Sequence, residues 1–290
     1  MSAGPGISAA EAAESVNHAR RVIVAWLVLS VIATPLVAVF LGPAIPPGNG
    51  SDEASQQVFD NQVMTAVITP ILCLLVVFFA YALTRFRAQA GEAALDGPPL
   101  RNEPRVQALW VAATGLIVLG LAGFGTFELL ETGAGGGQGP SPIAEPGGAQ
   151  KKLEVQVIAQ QWQFTYRYPS LGGLESAQLV LPAHTDVALH VTSLDAVHSF
   201  WAYELGVKAD ANPGVDNVAY VETKGPRVFH VRCAELCGLW HGYMFNNGLV
   251  VDAADFSRWA ASERKNFAPV AKYMPAYSHT YLPEPQRRAG

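Results

Sequence analysis

Three long runs of apolar residues dominate the first part of the chain. They extend from Val22 to Gly42, from Val63 to Leu83 and from Val106 to Leu130, and none holds a charged side chain before Glu128. Because a helix needs about 20 such residues to cross a bilayer, the pattern predicts three membrane-spanning helices. The chain is therefore expected to be a multi-pass membrane protein.

The positions of the arginines predict how these helices are oriented. Arg20 and Arg21 precede the first run and several arginines follow the second, whereas the loop from Pro43 to Gln62 has no basic residue. Since cytoplasmic loops are enriched in Lys and Arg, the amino terminus lies inside and everything after Glu131 lies outside. A cleaved signal sequence is the rival interpretation of the first run, but that run exceeds the usual apolar region of roughly 7 to 15 residues, so we expect it to be retained.

The pattern changes to short alternating segments in the second half of the chain. Residues 132–150 are mostly Gly, Pro and small polar residues, which cannot bury enough apolar surface to fold and predict a flexible linker. Segments rich in β-branched and aromatic residues follow, such as KLEVQVIAQQWQFTYRYP, and their alternation predicts an all-β sandwich at 151–262. A short helix is expected in AADFSRWAASER, after Asp252. Residues 263–290 form the predicted C-terminal tail, which from Asn266 onward is expected to be extended along a partner or disordered.

Composition supports a membrane protein and narrows its partners. Half of the residues are hydrophobic and 15% are charged, against about 25% in ordinary soluble chains. The formal net charge of −5 argues against nucleic acid as a partner and suits an acidic face that attracts a basic protein.

The domains predicted before the linker are an amino-terminal segment with the extra first helix at 1–62 and a transmembrane helical hairpin at 63–131.

One loop of the predicted sandwich concentrates soft metal ligands. The stretch CAELCGLWHGYM places Cys233, Cys237, His241 and Met244 at intervals of four, four and three, and His198 lies upstream in LDAVHSFW. A disulfide between the two cysteines is the simpler interpretation outside the cytoplasm, and spacing alone does not exclude it. It leaves the histidines and the methionine unexplained. Thiolate, imidazole and thioether together are the ligands that copper prefers.

These residues carry a resemblance to a known family. The CAELCGLWHGYM loop, the upstream DAVHSFWAYELGVKADANPG and the QQWQFTYRYP stretch resemble subunit II of the heme-copper cytochrome c oxidases, from about Val63 to Trp259. The resemblance implies a cupredoxin-like Greek-key β-sandwich that carries a dinuclear copper centre called CuA. It also implies the outer face of a prokaryotic plasma membrane as the location of that domain.

The resemblance also implies a role for each site residue. Cys233 and Cys237 would bridge two copper ions, and His198 and His241 would each bind one. Met244 and the backbone carbonyl of Glu235 would complete the two coordination shells, and the Glu235 side chain would reach a magnesium ion at the contact with subunit I. Trp162 matches the tryptophan through which cytochrome c delivers its electron, although a purely core role for this aromatic also stays open.

The function implied is that of an electron-accepting subunit. Cytochrome c would reduce the copper pair, and the electron would pass to the hemes of subunit I, where oxygen is reduced to water and protons are pumped. A nitric oxide reductase with a CuA subunit is the nearest enzymatic alternative, and a copper-carrying or structural membrane module is the alternative from another class. The donor, the heme types and the proton stoichiometry stay open.

The chain departs from the family pattern near the start of its third run. The family usually has a glutamate three residues before the tryptophan that begins this helix, at the mouth of a proton path, whereas Gln107 precedes Trp110 here. Because glutamine cannot titrate, our hypothesis is that protons enter through Glu103. The substitution Glu103→Gln should then lower turnover of the assembled oxidase. Full turnover in that variant would remove the hypothesis.

Overall fold

The computed structural model describes residues 9–87, 103–132 and 153–271. Only Thr132 of the predicted linker and residues 263–271 of the predicted tail are among them. The chain divides into two compact units. The first comprises Met1–Ile45 and Phe59–Ala108, and the second comprises Pro46–Val58 and Leu109–Gly290.

Three long helices precede the β-strands, as the apolar runs predict. They are α1 (Ala9–Leu36), which continues as a π-helical turn at Val37–Leu41, α2 (Asp52–Arg85) and α3 (Pro104–Thr132). Each contains a stretch long and apolar enough to cross a membrane, at Asn17–Leu41, Asp52–Arg85 and Pro104–Glu128. The prediction of three membrane-spanning helices is confirmed.

Helix α2 begins well before the apolar run that predicts it. The Ser51 hydroxyl accepts a hydrogen bond from the Ala54 backbone N–H at 2.9 Å, which is the contact of a helix N-cap. Asp52 and Glu53 then fill the first turn, where carboxylates complement the helix dipole. A polar capping sequence therefore starts the helix about ten residues before hydrophobicity alone would.

Polar contacts join α1 to α2 within the first unit. The Trp26 indole donates a hydrogen bond to the Pro70 carbonyl at 2.8 Å. His18 Nδ1 lies 2.7 Å from the Tyr81 hydroxyl, and the His18 ring also packs against Phe86. Interhelical hydrogen bonds of this kind hold membrane helices together where lipid supplies no hydrophobic driving force between them.

Among the described residues of the second unit, ten strands form two five-stranded sheets. One sheet has the order β3-β2-β1-β5-β8 and the other β4-β10-β9-β6-β7. Strand β1 pairs with β5, and β10 pairs with β4, in parallel, whereas the other neighbouring strands are antiparallel. The topology is therefore a sandwich with crossover connections and not a simple meander. The strands are β1 (Leu153–Gln160), β2 (Gln163–Tyr168), β3 (Leu174–Ser176), β4 (Val180–Pro182), β5 (Asp186–Ser193), β6 (His198–Ala202), β7 (Val207–Ala211), β8 (Asn217–Glu222), β9 (Arg227–Cys233) and β10 (Phe245–Val251).

Alternating side chains fill the core between the sheets. On β2, Phe164, Tyr166 and Tyr168 are buried, and the Phe164 ring meets Phe200 of β6 edge to face at 5.6 Å between centroids. Burying one such side chain stabilises the fold by roughly 1.5–3 kcal/mol. The predicted β-sandwich, following the membrane helices, is confirmed.

A final helix, α4 (Ala253–Ala271), covers one edge of the sandwich and is longer than predicted. Phe256 and Trp259 contact Tyr168, with ring centroids 6.3 and 5.2 Å away, and Phe267 also packs against the core. The expectation of an extended chain from Asn266 onward is wrong for residues 266–271, because Phe267 adds a third apolar anchor about two helical turns beyond Trp259. Residues 272–290 lie outside the described residues.

The polar segment Pro46–Val58, between α1 and the apolar part of α2, belongs to the β-domain unit. The Ser51 hydroxyl is fully buried and donates to the Leu205 carbonyl at 2.7 Å. Lys224 Nζ donates to the Ser55 hydroxyl at 2.6 Å and pairs with Asp52 at 3.0 Å. A backbone bridge between Ser51 and Thr223 completes the attachment.

The substitution Ser51→Ala should destabilise the β-domain unit. It would leave the buried Leu205 carbonyl and the Ala54 N–H without their partner, at a cost of about 1–3 kcal/mol. Thermal unfolding of the full chain in detergent measures the effect. Ser257→Ala, which removes an exposed hydroxyl on α4, is the matched control and should be nearly neutral. Equal melting temperatures for the two variants would contradict the anchoring role of Ser51.

Candidate metal centre

The cysteine loop is the connection of an antiparallel hairpin. Cys233 is the last residue of β9, and Met244 immediately precedes β10. The Cys233 N–H donates to the Met244 carbonyl at 3.0 Å and closes the base of the loop. Within the loop, the His241 N–H donates to the Gly238 carbonyl at 3.2 Å, which begins a tight turn at His241–Tyr243. The hairpin thereby fixes the positions of four donor side chains.

Strand pairing brings a fifth donor to this loop from elsewhere in the chain. His198 is the first residue of β6, and β6 pairs with β9 so that Phe200 lies opposite Cys233. The Ala234 N–H donates to the Ser199 carbonyl at 2.9 Å, which extends the contact into the loop. The His198 side chain is fully buried beside the thiol of Cys233.

The donor atoms lie close together. Cys233 Sγ is 3.7 Å from Cys237 Sγ and 3.8 Å from His198 Nδ1. Cys237 Sγ is 3.5 Å from His241 Nδ1 and 3.9 Å from Met244 Sδ. The ligand atoms of His198, Cys233 and Cys237 all lie within 4.8 Å of one another, and the three residues are buried. His241 and Met244 join this group from the side of Cys237.

This arrangement fits copper ions. Both cysteines are free thiols, and their sulfur separation of 3.7 Å is less than twice the metal–thiolate bond of about 2.3 Å known for zinc. One ion can therefore touch both sulfurs. One imidazole nitrogen stands beside each sulfur, so the donors divide into two sets that share the thiols. Soft sulfur and imidazole donors select copper over the harder divalent ions.

Asp195 orients the buried histidine. Its Oδ1 lies 2.9 Å from His198 Nε2, which leaves Nδ1 directed at Cys233. Burial raises the pKa of the Asp195 carboxyl, but hydrogen bonds from the Gln161 N–H, from His198 and from the Ala196 N–H outweigh it, and the net pKa is lowered. The carboxylate is therefore ionised at neutral pH. Such a partner fixes the tautomer of a ligand histidine and raises its basicity.

Without a metal, the site holds at least one thiol in its neutral form. Burial, and then the neighbouring Cys233, raises the pKa of the Cys237 thiol to about 12. Copper must consequently displace a proton when it binds, because the thiolate is the ligand.

The structure places the two remaining predicted residues differently from each other. The Glu235 carbonyl accepts a contact from Cys233 Sγ at 3.2 Å, whereas its side chain is exposed. Trp162 is half-buried, packs against the core and donates from Nε1 to the Cys237 carbonyl at 3.1 Å. The tryptophan is thus neither fully in the core nor fully at the surface, and it contacts the metal loop directly.

Sequence reasoning missed two residues of this site, Asp195 and Gln161. A carboxylate three residues before His198 is a signal that the sequence offers, because residues so close in sequence can place their side chains in contact, as Asp195 Oδ1 and His198 Nε2 are at 2.9 Å. Gln161 Nε2 donates to the Cys237 carbonyl at 2.9 Å, across 76 positions of sequence. No local pattern predicts that contact.

A comparison with protein families agrees with the site. The family described as cytochrome c oxidase subunit II, periplasmic domain, matches residues 174–253, which include every predicted metal ligand. The chain is also 27% identical over 280 residues to cytochrome c oxidase subunit 2 of Thermostichus vulcanus, covering 81% of this chain and 84% of that protein. The chain is therefore similar to cytochrome c oxidase subunit II. The resemblance expected from the sequence is confirmed.

Other relatives align over a shorter part. The probable cytochrome c oxidase subunit 2 of Rickettsia prowazekii is 31% identical over 134 residues, and the alignment spans 39% of this chain and 43% of the relative. The periplasmic domain of cytochrome oxidase subunit II from Bradyrhizobium japonicum, a solved structure, is 28% identical with a TM-score of 0.39, covering 41% of this chain and 97% of that domain.

These subunit II relatives agree with the predicted location. They are bacterial, and the matched family is a periplasmic domain. Together with three helices able to span a membrane, they indicate a prokaryotic membrane protein whose β-domain lies on the outer face.

The substitution Asp195→Asn should weaken copper binding by about 10–100-fold, the usual effect of removing the partner of a ligand histidine. Competition against a chelator of known affinity measures the change in the full chain. Asp216→Asn is the matched control, because Asp216 pairs with His190, outside the cluster, at 3.0 Å. Unchanged copper affinity in Asp195→Asn, or equal weakening in both variants, would contradict the orienting role.

Proposed function

We propose that this chain is the electron-accepting subunit of a cytochrome c oxidase. In this role it takes electrons from cytochrome c at a dinuclear copper centre and passes them to the hemes of subunit I, where oxygen is reduced to water with proton pumping. The observation that carries the proposal is the pair of free thiols 3.7 Å apart, with one imidazole Nδ1 beside each sulfur. The subunit I partner and other oxidase subunits are part of the proposal.

A bound copper pair would supply one-electron exchange, and the chain's own residues explain why that exchange would be fast. The β6–β9 pairing holds His198 and Cys233 on strands, and the β9–β10 hairpin anchors both ends of the loop that carries the other donors, so the donor positions should change little between redox states. Cys233, Cys237, His198 and Met244 are at most 9% exposed, which keeps water from reorganising around the site. Functional groups held on loops of such a scaffold are typical of the sandwich folds.

Electron uptake through Trp162 is part of the proposal. The indole donates to the carbonyl of Cys237, a proposed bridging ligand, so a single hydrogen bond separates the ring from the ligand backbone. Its half-buried position leaves part of the ring accessible to a donor protein. The acidic balance of the chain favours a basic donor such as a cytochrome c.

Glu235 is the proposed link to a magnesium ion at the contact with subunit I. Its carbonyl faces Cys233 while its carboxylate is exposed, so one residue can serve the copper site and a second cation at once. Carboxylate oxygen is a donor that magnesium prefers.

A nitric oxide reductase subunit is the second candidate, because the same donor set would serve either acceptor. The identity of the membrane chain that copurifies with this one separates the two. Copurification with an oxygen-reducing subunit I would support the oxidase. Copurification with the catalytic subunit of a nitric oxide reductase would favour the reductase instead.

A copper carrier or structural module would bind one copper ion or none, which provides a test. The substitutions Cys233→Ser and Cys237→Ser should each abolish the hyperfine pattern of an electron shared by two copper nuclei, measured by electron paramagnetic resonance on the copper-loaded full chain. Cys73→Ser is the matched control, because Cys73 is also a buried free thiol but lies in α2. It should leave the pattern intact. An unchanged spectrum in either of the first two variants would contradict the bridging assignment.

A further inference from the structure

The turn between β1 and β2 contacts both loops that supply metal donors. The backbone N–H of Gln161 donates to Asp195 Oδ2 at 2.8 Å, in the loop that leads to His198. The side-chain amide of Gln161 donates to the Cys237 carbonyl at 2.9 Å, in the cysteine loop. Gln161 therefore joins two separate parts of the donor set through two different groups.

Trp162 shares the second of these contacts. Its indole Nε1 donates to the same Cys237 carbonyl at 3.1 Å. A carbonyl oxygen has two lone pairs, so the glutamine amide and the indole together use its full accepting capacity. Water consequently has no lone pair of this oxygen through which to compete with the indole.

The close approach requires a glycine next to Cys237. Gly238 has φ +113°, a conformation that residues with a side chain rarely adopt. A Cβ at this position would lie 3.1 Å from Gln161 Nε2 and 3.4 Å from Trp162 Cζ2. The loop thus leaves room for both the amide and the indole to reach the Cys237 carbonyl.

We propose that Gln161 is a positioning residue that holds the Trp162 indole on the Cys237 carbonyl. The inference rests on the proposed function, in which Trp162 takes up the electron and Cys237 binds copper. The route from the indole then crosses one hydrogen bond and continues through the carbonyl carbon, Cα and Cβ of Cys237 to its Sγ. The backbone N–H of Gln161 fixes the turn to Asp195, and its side-chain amide occupies the second lone pair of the Cys237 carbonyl. Both contacts keep the indole at the start of this route.

The position of the indole is measured by fluorine NMR of the full chain in detergent, labelled with 5-fluorotryptophan and loaded with reduced copper. Trp162→Phe assigns the resonance of Trp162 by its disappearance. Gln161→Met removes the amide donor while keeping the backbone N–H and a side chain of similar length. The ratio of docked to undocked indole should fall about fivefold, as expected for the loss of one hydrogen bond.

Gln163→Met is the matched control, because Gln163 is an exposed glutamine two positions away, at the start of β2. The Trp162 resonance of the Gln163→Met variant should coincide with that of the unmodified chain. Gln161→Glu provides a second variant of nearly the same shape whose carboxylate cannot donate to the carbonyl, and it should displace the resonance as Gln161→Met does. A Trp162 resonance unchanged in both Gln161 variants would overturn the proposal.

A kinetic measurement separates failure of this inference from failure of the proposed function. Electron uptake from cytochrome c by the assembled complex should slow in Gln161→Met and in Trp162→Phe, and not in Gln163→Met. If Trp162→Phe left uptake unchanged, the electron-accepting role of Trp162 would fail even where the fluorine spectra supported its positioning. If only Gln161→Met left uptake unchanged, the positioning role would fail and the electron-accepting role would stand.

Discussion

The pairing of strand β6 with strand β9 is the constraint on which the metal centre depends. It places His198 beside Cys233, although 35 positions of sequence separate them, and the Ala234–Ser199 hydrogen bond extends the pairing into the loop. Without this register, the cysteine loop could offer only its own donors. A shift by one residue would turn the imidazole to the opposite face of the sheet, because side chains alternate along a strand. The sandwich core therefore fixes the chemistry of the loop.

The Cys237 backbone forms a second point of convergence. Its thiol faces His241 and Met244, while its carbonyl accepts from Gln161 and Trp162. The proposed metal ligands and the proposed electron-entry residue therefore both contact Cys237. The position of this one residue sets the geometry of both. Because burial raises the pKa of the Cys237 thiol, forming its thiolate is unfavourable until a bound cation compensates the negative charge.

The sequence predicts the parts of the structure that obey a local pattern. Three apolar runs identify the helices, and alternation such as that of Phe164, Tyr166 and Tyr168 identifies the sandwich. The spacing of Cys233, Cys237, His241 and Met244 identifies the loop as a metal candidate. The upstream His198 is a further candidate ligand, and the family resemblance assigns each residue its role. The contacts of Gln161 and of Ser51 escape prediction because each joins segments more than seventy residues apart through single polar groups. The extension of α4 to Ala271 depends on Phe267 reaching the core, which only the packed structure reveals.

The most direct test of the account is the copper content and thiol state of the full chain purified from copper-replete cells. The account predicts two copper ions per chain, with Cys233 and Cys237 both bound to metal and recovered as free thiols once the copper is removed under reducing-agent-free, anaerobic conditions. A metal-free chain in which these two cysteines form a disulfide with each other would contradict it.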